Sequence, residues 1–182
     1  SDSMSKIPRS QLIDIINEQK YLIKEMIGEQ TYLSHPPHFT LIIFTTEELS
    51  RIIFELENLA LNINKFRIKI NDFHIFYNDI FTKANTITYP INKDSLSKIK
   101  NIQLDITKSI ERFNTKKLYS KEDESYKKMS ETEKLNTDKY DYPFIGENWI
   151  PHITIASIEP AKVEEIFEKI KQKPAFGEFL IE

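Results

Sequence analysis

Two short strings decide the fold: Pro37-His38-Phe39-Thr40-Leu41 and Pro151-His152-Ile153-Thr154-Ile155. Side chains of an extended segment alternate between its two faces. His38 and Thr40 therefore project from one side while Phe39 and Leu41 point to the other. His152 and Thr154 stand likewise against Ile153 and Ile155. Each string buries an apolar face and shows a histidine and a threonine on the opposite one. An amphipathic helical pattern follows each of them. After the first it runs through Leu49, Ile52, Ile53, Leu56, Leu59, Ala60 and Ile63; after the second, through Val163, Ile166, Phe167 and Ile170. Strand, helix and strand thus recur at 38–70 and 150–181.

Outward from these strings the remaining elements read in order. Ser10 is placed as the N-cap of a helix carrying Leu12, Ile16, Ile23 and Ile27 on one face and stopping at Gly28. Residues 38–44 are expected as a buried strand, with Thr45 and Glu48 forming a capping box for the next helix. Phe66, Ile68 and Ile70 alternate with Arg67, Lys69 and Asn71, which is strand periodicity, and further extended runs fall at 73–77 and 86–91. Leu96, Ile99, Ile102, Ile106, Ile110 and Phe113 give another helix. A strand at 149–158, a helix opened by Pro160 and a strand at 176–181 complete an α+β pattern with antiparallel pairing. Between 116 and 141, 14 of 26 residues are charged, seven of each sign, so this stretch cannot bury a core and is expected as an insertion, either a mobile loop or a frayed helix.

Composition narrows the function classes. The 182 residues carry 25 Lys+Arg against 28 Asp+Glu, a net charge of −3 that argues against wrapping a polyanion but leaves small nucleotides open. A 40% hydrophobic and 29% charged chain is ordinary for a folded soluble domain and excludes global disorder. No segment approaches the roughly 20 apolar residues of a membrane span, and no signal-peptide core is present, so a cytoplasmic location is the expectation. Without cysteine there are no disulfides, zinc-thiolate sites or thiol nucleophiles. Lysine outnumbers arginine 21 to 4 and isoleucine occurs 29 times, which we read as the coding bias of an AT-rich genome. Ser1–Ser3 ahead of Met4 read as an expression remnant outside the fold.

Two imidazoles and two hydroxyls presented across one cleft suit metal-free phosphoryl chemistry. One neutral imidazole deprotonates the attacking water or hydroxyl while the other, protonated, donates to the leaving oxygen. Threonine hydroxyls hold phosphoryl oxygens as charge develops on them. No acidic cluster flanks either string, so a metal-assisted route has no obvious ligand set, and His35 and His38 in His-Pro-Pro-His lack a third ligand. His74, alternating with Phe73 and Ile75, reads as a satisfied surface or core histidine. Tyr32, Tyr77 and Tyr89 are candidate platforms for stacking a base, whereas the parity of Trp149 sends it to the core.

The pair His38-Phe39-Thr40-Leu41 and His152-Ile153-Thr154-Ile155 resembles the signature of the two-histidine phosphoesterase superfamily, which includes the bacterial 2'-5' RNA ligase-like proteins and cyclic nucleotide phosphodiesterases. The resemblance implies a bilobal fold over 4–182, with two antiparallel sheets facing a central cleft and helices outside. It also implies that His38 and His152 are the acid-base pair and that Thr40 and Thr154 contact the phosphate. Where many members place a basic residue after the second motif, this chain has Ala156 and Ser157, so phosphate neutralisation would fall to a lysine or arginine elsewhere.

The resulting expectation is a monomeric, metal-independent and cofactor-free phosphodiesterase. Its substrate would be a nucleotide or short RNA with a 2',3'-cyclic phosphate, a 2'-5' linkage or a cyclic oligonucleotide. A nucleotide-binding sensor or scaffold with little turnover is the alternative, and a structural domain acting through 116–141 the third class.

Overall fold

The structure, a computed structural model, describes residues 6–114 and 117–181; Ser1–Ser3, expected as an expression remnant, lie outside them. It is α+β, and the described residues form six α-helices and two small sheets. The chain divides into two compact units, one of Ser1–Phe39, Lys65–Ser95 and Pro151–Glu182, the other of Thr40–Asn64 and Leu96–Ile150. Among the described residues, no helix is long and apolar enough to cross a membrane.

Both sheets belong to the first unit. In one, β6 (Gly177–Ile181) lies between β1 (Lys6–Ile7), to which it is parallel, and β2 (Phe66–Ile70), to which it is antiparallel. The register sets Ile68 opposite Phe179, both fully buried. In the other, β4 (Asn85–Pro90) is the middle strand between β3 (His74–Phe76) and β5 (His152–Ile158), and both pairings are antiparallel. A bulge falls where Ile87 pairs with Ala156 but Thr88 pairs with Thr154. Helix α1 (Arg9–Ile27) buries Leu12, Ile16, Gln19, Lys20 and Ile23, and α6 (Val163–Ile170) buries Val163, Ile166 and Ile170. Helix α1 does not start at a Ser10 cap. Pro8, with φ −60° and ψ 145°, precedes it, and Ser10 lies inside the first turn. A proline with its φ already fixed needs no side-chain cap to lead the chain into a helix. Gly28 closes the helix as expected, at φ 79° with its N–H on the Lys24 carbonyl at 2.8 Å.

The second unit holds α2 (Leu49–Ala60), α3 (Leu96–Ile110), α4 (Glu124–Lys127) and α5 (Glu131–Tyr140). Ile52, Ile110 and Phe113 form its core, with Ile42, Phe44, Leu56 and Ile106 packed around them. The expected strand at 38–44 is absent among the described elements. Its backbone is served from the side instead: Gln103, fully buried on α3, donates to the carbonyls of Leu41 and Phe144 at 2.8 Å each and accepts from the Gly146 amide at 3.0 Å. The expected capping box is also displaced. Thr46 Oγ1 accepts the Glu48 amide at 2.9 Å, and Glu48 itself is the residue that precedes α2.

Within the charged stretch expected as a mobile loop or a frayed helix, α4 and α5 are helical. Ser130 and Glu133 form a reciprocal capping box at the start of α5. Asp141 ends the helix in the left-handed region at φ 57°, and its Oδ2 accepts the Leu118 amide at 2.5 Å.

Candidate active site

The second motif opens β5. Ile153 and Ile155 are buried, while His152 and Thr154 lie on the more open face, as alternation requires. Cross-strand partners share a face, so the register His74–Thr88–Thr154 runs across all three strands on the side that carries His152. Thr88 fixes the row by donating its hydroxyl to the His74 carbonyl at 2.9 Å. Phe76 leans over this face. Its ring centroid lies 4.9 Å from that of His152 and 4.4 Å from that of His74, the latter edge to face.

The first motif is held by turns. Ser157 of β5 donates its amide to the Thr31 carbonyl at 3.0 Å, which ties the start of this segment to the strand carrying His152. Tyr32 follows in the left-handed region at φ 72°. Its carbonyl accepts the His35 amide at 3.2 Å and the Lys20 ammonium at 2.6 Å. Ring centroids then step from Tyr32 to His35 at 5.4 Å and from His35 to His38 at 6.4 Å. His38 is exposed, and its Nδ1 lies 2.7 Å from the Pro36 carbonyl oxygen. A carbonyl only accepts, so Nδ1 carries the proton and the lone pair of the neutral ring is on Nε2. Two consecutive prolines keep this stretch extended and aim the carbonyl at the ring. Thr40, half-buried, is the first residue of the second unit, and Gln103 holds the carbonyl of its neighbour Leu41.

The three tyrosines separate. Tyr89 is not a stacking platform: it is 0% exposed, and the register pairs it with Ile153 on the face opposite His152. Its hydroxyl accepts from Gln19 Nε2 at 2.7 Å and from the Ala175 amide at 3.0 Å, and burial raises its phenol above the usual range. Tyr77 is 61% exposed and follows β3 directly. Tyr32 is half-buried, and its phenol is raised by burial first and by the Asp79 charge second. Trp149 is buried as expected, although β5 begins only at His152.

His74 and Phe76 are the functional candidates that the sequence reading passed over. The signal was available, since their spacing of two in an extended run puts them on one face. Ala156 and Ser157, where a basic residue was expected, are both buried and offer no charge. An open cavity of about 600 Å³ in the second unit is lined by Glu48, Arg51, Phe54, Glu55, Arg112 and Phe113 and includes no motif residue. Among the described residues, no three His, Asp or Glu side chains converge as metal ligands.

No curated protein and no solved structure matches the chain. A family model described as the 2'-5' RNA ligase superfamily matches residues 17–182, a span that includes both His-x-Thr motifs and every strand after β1. The resemblance carried by the two motifs is thereby borne out at the level of the family. The chain belongs to the 2'-5' RNA ligase superfamily, within the two-histidine phosphoesterases.

Proposed function

We propose that the protein is a metal-independent phosphodiesterase that hydrolyses RNA-type phosphodiesters, a 2',3'-cyclic phosphate, a 2'-5' linkage or a cyclic oligonucleotide. The observation that carries this reading is the His38 hydrogen bond to Pro36, which leaves Nε2 as the basic nitrogen. In the reaction, Nε2 of His38 takes a proton from water as the water oxygen bonds to phosphorus. The bond from phosphorus to the leaving ribose oxygen breaks, and protonated His152 supplies the proton that this oxygen needs. Each histidine ends in the state in which the other began, so proton exchange with solvent restores the pair. Thr40 and Thr154 hold the phosphoryl oxygens.

Turnover in excess EDTA against 2',3'-cyclic nucleotides, 2'-5' oligoadenylate and cyclic oligonucleotides tests the reading. Cleavage that persists in EDTA and is lost in His38→Ala and in His152→Ala supports it; cleavage indifferent to both histidines overturns it. The second reading is a nucleotide sensor with little turnover. Burial of Ala156 and Ser157 favours it, because the usual basic residue is missing there. Saturable nucleotide binding without turnover would select it.

A further inference from the structure

Lys20 has no place in the chemistry above, yet it is one of the most unusual side chains in the molecule. It sits on α1 and is only 5% exposed, although lysine is rarely buried without a charged partner. Its ammonium donates to a backbone carbonyl, that of Tyr32, at 2.6 Å. That carbonyl is already the acceptor of the 32–35 turn. A second amide would have satisfied it at no cost in buried charge. Tyr32 is itself strained, because a non-glycine residue at φ 72° persists only where the surroundings over-determine it. The over-determination is visible on both sides: β5 grips Thr31 through the Ser157 amide, and α1 grips Tyr32 through Lys20. Downstream of these two anchors there are only the turn, Pro36, Pro37 and His38. The rings of Tyr32, His35 and His38 follow one another at 5.4 and 6.4 Å.

We infer that Lys20 is a positioning residue for His38: by clamping the Tyr32 carbonyl it fixes the loop that holds the His38 ring against Pro36. This rests on the assignment of His38 as the base. The lysine does not touch substrate. Its task is to keep the strained turn in one conformation, so that His35, Pro36 and His38 are presented in a single arrangement. A cavity of about 230 Å³ beside the lysine, lined by Asn17, Tyr21, Lys24, Glu29, Leu33 and Ser34, leaves room for an unbranched replacement side chain.

The test compares the full chain with Lys20→Met and Lys20→Arg by three readouts: kcat and KM on a 2',3'-cyclic nucleotide, the melting temperature, and the imidazole nitrogen NMR spectrum of His38. For Lys20→Met, kcat should fall about tenfold or more with KM changed less than about threefold, as loosened orientation predicts. The melting temperature should hold or rise, and the Nδ1-protonated signature of His38 should give way to a mixture of tautomers. Lys20→Arg, which keeps a donor, should recover part of both kcat and the spectrum. An unchanged His38 spectrum in Lys20→Met overturns the inference, as does a kcat that falls only in step with loss of folded protein. If the wild-type chain turns over nothing while its His38 spectrum still shifts in Lys20→Met, the phosphodiesterase reading falls and the positioning role stands.

Discussion

The carbonyl oxygen of Pro36 accepts a hydrogen bond from Nδ1 of His38 at 2.7 Å, two residues along the chain. A backbone acceptor does here what a carboxylate does in many acid-base pairs: it selects the tautomer and holds the ring plane, without adding charge. The ring of Phe76 packs against that of His152, with centroids 4.9 Å apart.

Removal of either imidazole should reduce kcat by about a thousandfold or more, and the double variant His38→Ala/His152→Ala should be hardly worse than either single one, because the two act as a unit. Thr40→Val and Thr154→Val should each lose about ten- to a hundredfold, as for single donors to a developing charge. Steady-state kinetics in EDTA reads both. Opposing protonation states also require a bell-shaped dependence of kcat/KM on pH, reduced to one limb in whichever variant keeps a single histidine.

Tyr89 and Tyr77 should part company. Tyr89→Phe strands the Ala175 amide and Gln19 Oε1 in the core, and should cost about 1–3 kcal/mol by urea unfolding with kcat and KM unchanged. Tyr77→Ala should leave stability within about 0.5 kcal/mol, since the side chain is exposed, and should raise KM if a base stacks there. A catalytic defect in Tyr89→Phe without a stability defect would contradict the assignment of Tyr89 to the core.

Burial pushes the Lys20 ammonium below the usual lysine range to about 8. The unfolded chain, with an ordinary lysine near 10.5, binds that proton more tightly, so stability contributed by this group rises as pH climbs from about 8 to 10.5. Below pH 8 the folded state carries the full cost of the buried charge, about 2–3 kcal/mol. Lys20→Met should therefore be the more stable chain at pH 7, with the gap closing by about pH 10. Urea midpoints for the two chains at both pH values decide it, and a gap that ignores pH would refute the assignment.

Asp141→Ala should destabilise by about 2 kcal/mol, because it removes the acceptor of the Leu118 amide and puts a less tolerant residue in the left-handed region. Asp141→Asn keeps both properties and should lose less than half as much. Hydrogen exchange of the α5 amides, faster in the first variant than in the second, is the local readout.

Which elements are legible in the sequence depends on where each backbone group finds its partner. The helices with a strict apolar period, α1, α3 and α6, were legible because Ile16, Ile23, Ile99, Ile110, Ile166 and Ile170 recur at helical spacing and all end up buried. Strand β5 was legible by alternation, from His152 and Thr154 against Ile153 and Ile155. Residues 38–44 have the same alternation but are not a strand, since the Leu41 carbonyl is met by a glutamine side chain far along the chain, and no local pattern encodes such a partner. Tyr89 misled for a related reason. Periodicity says that Thr88 and Tyr89 face opposite ways, but only the pairing of Tyr89 with Ile153 says which way is the core.

The order β1–β6–β2 also has a consequence in time. Among the described strands, the one that joins this sheet comes last, so Phe66–Ile70 lacks this pairing until Gly177–Ile181 has emerged from the ribosome. Until then its apolar residues Ile68 and Ile70 and one row of unpaired amides are an open edge, of the kind that chaperones shield and that aggregates recruit. Closing so long a loop in a single late step makes maturation of this sheet slow by topology rather than by sequence.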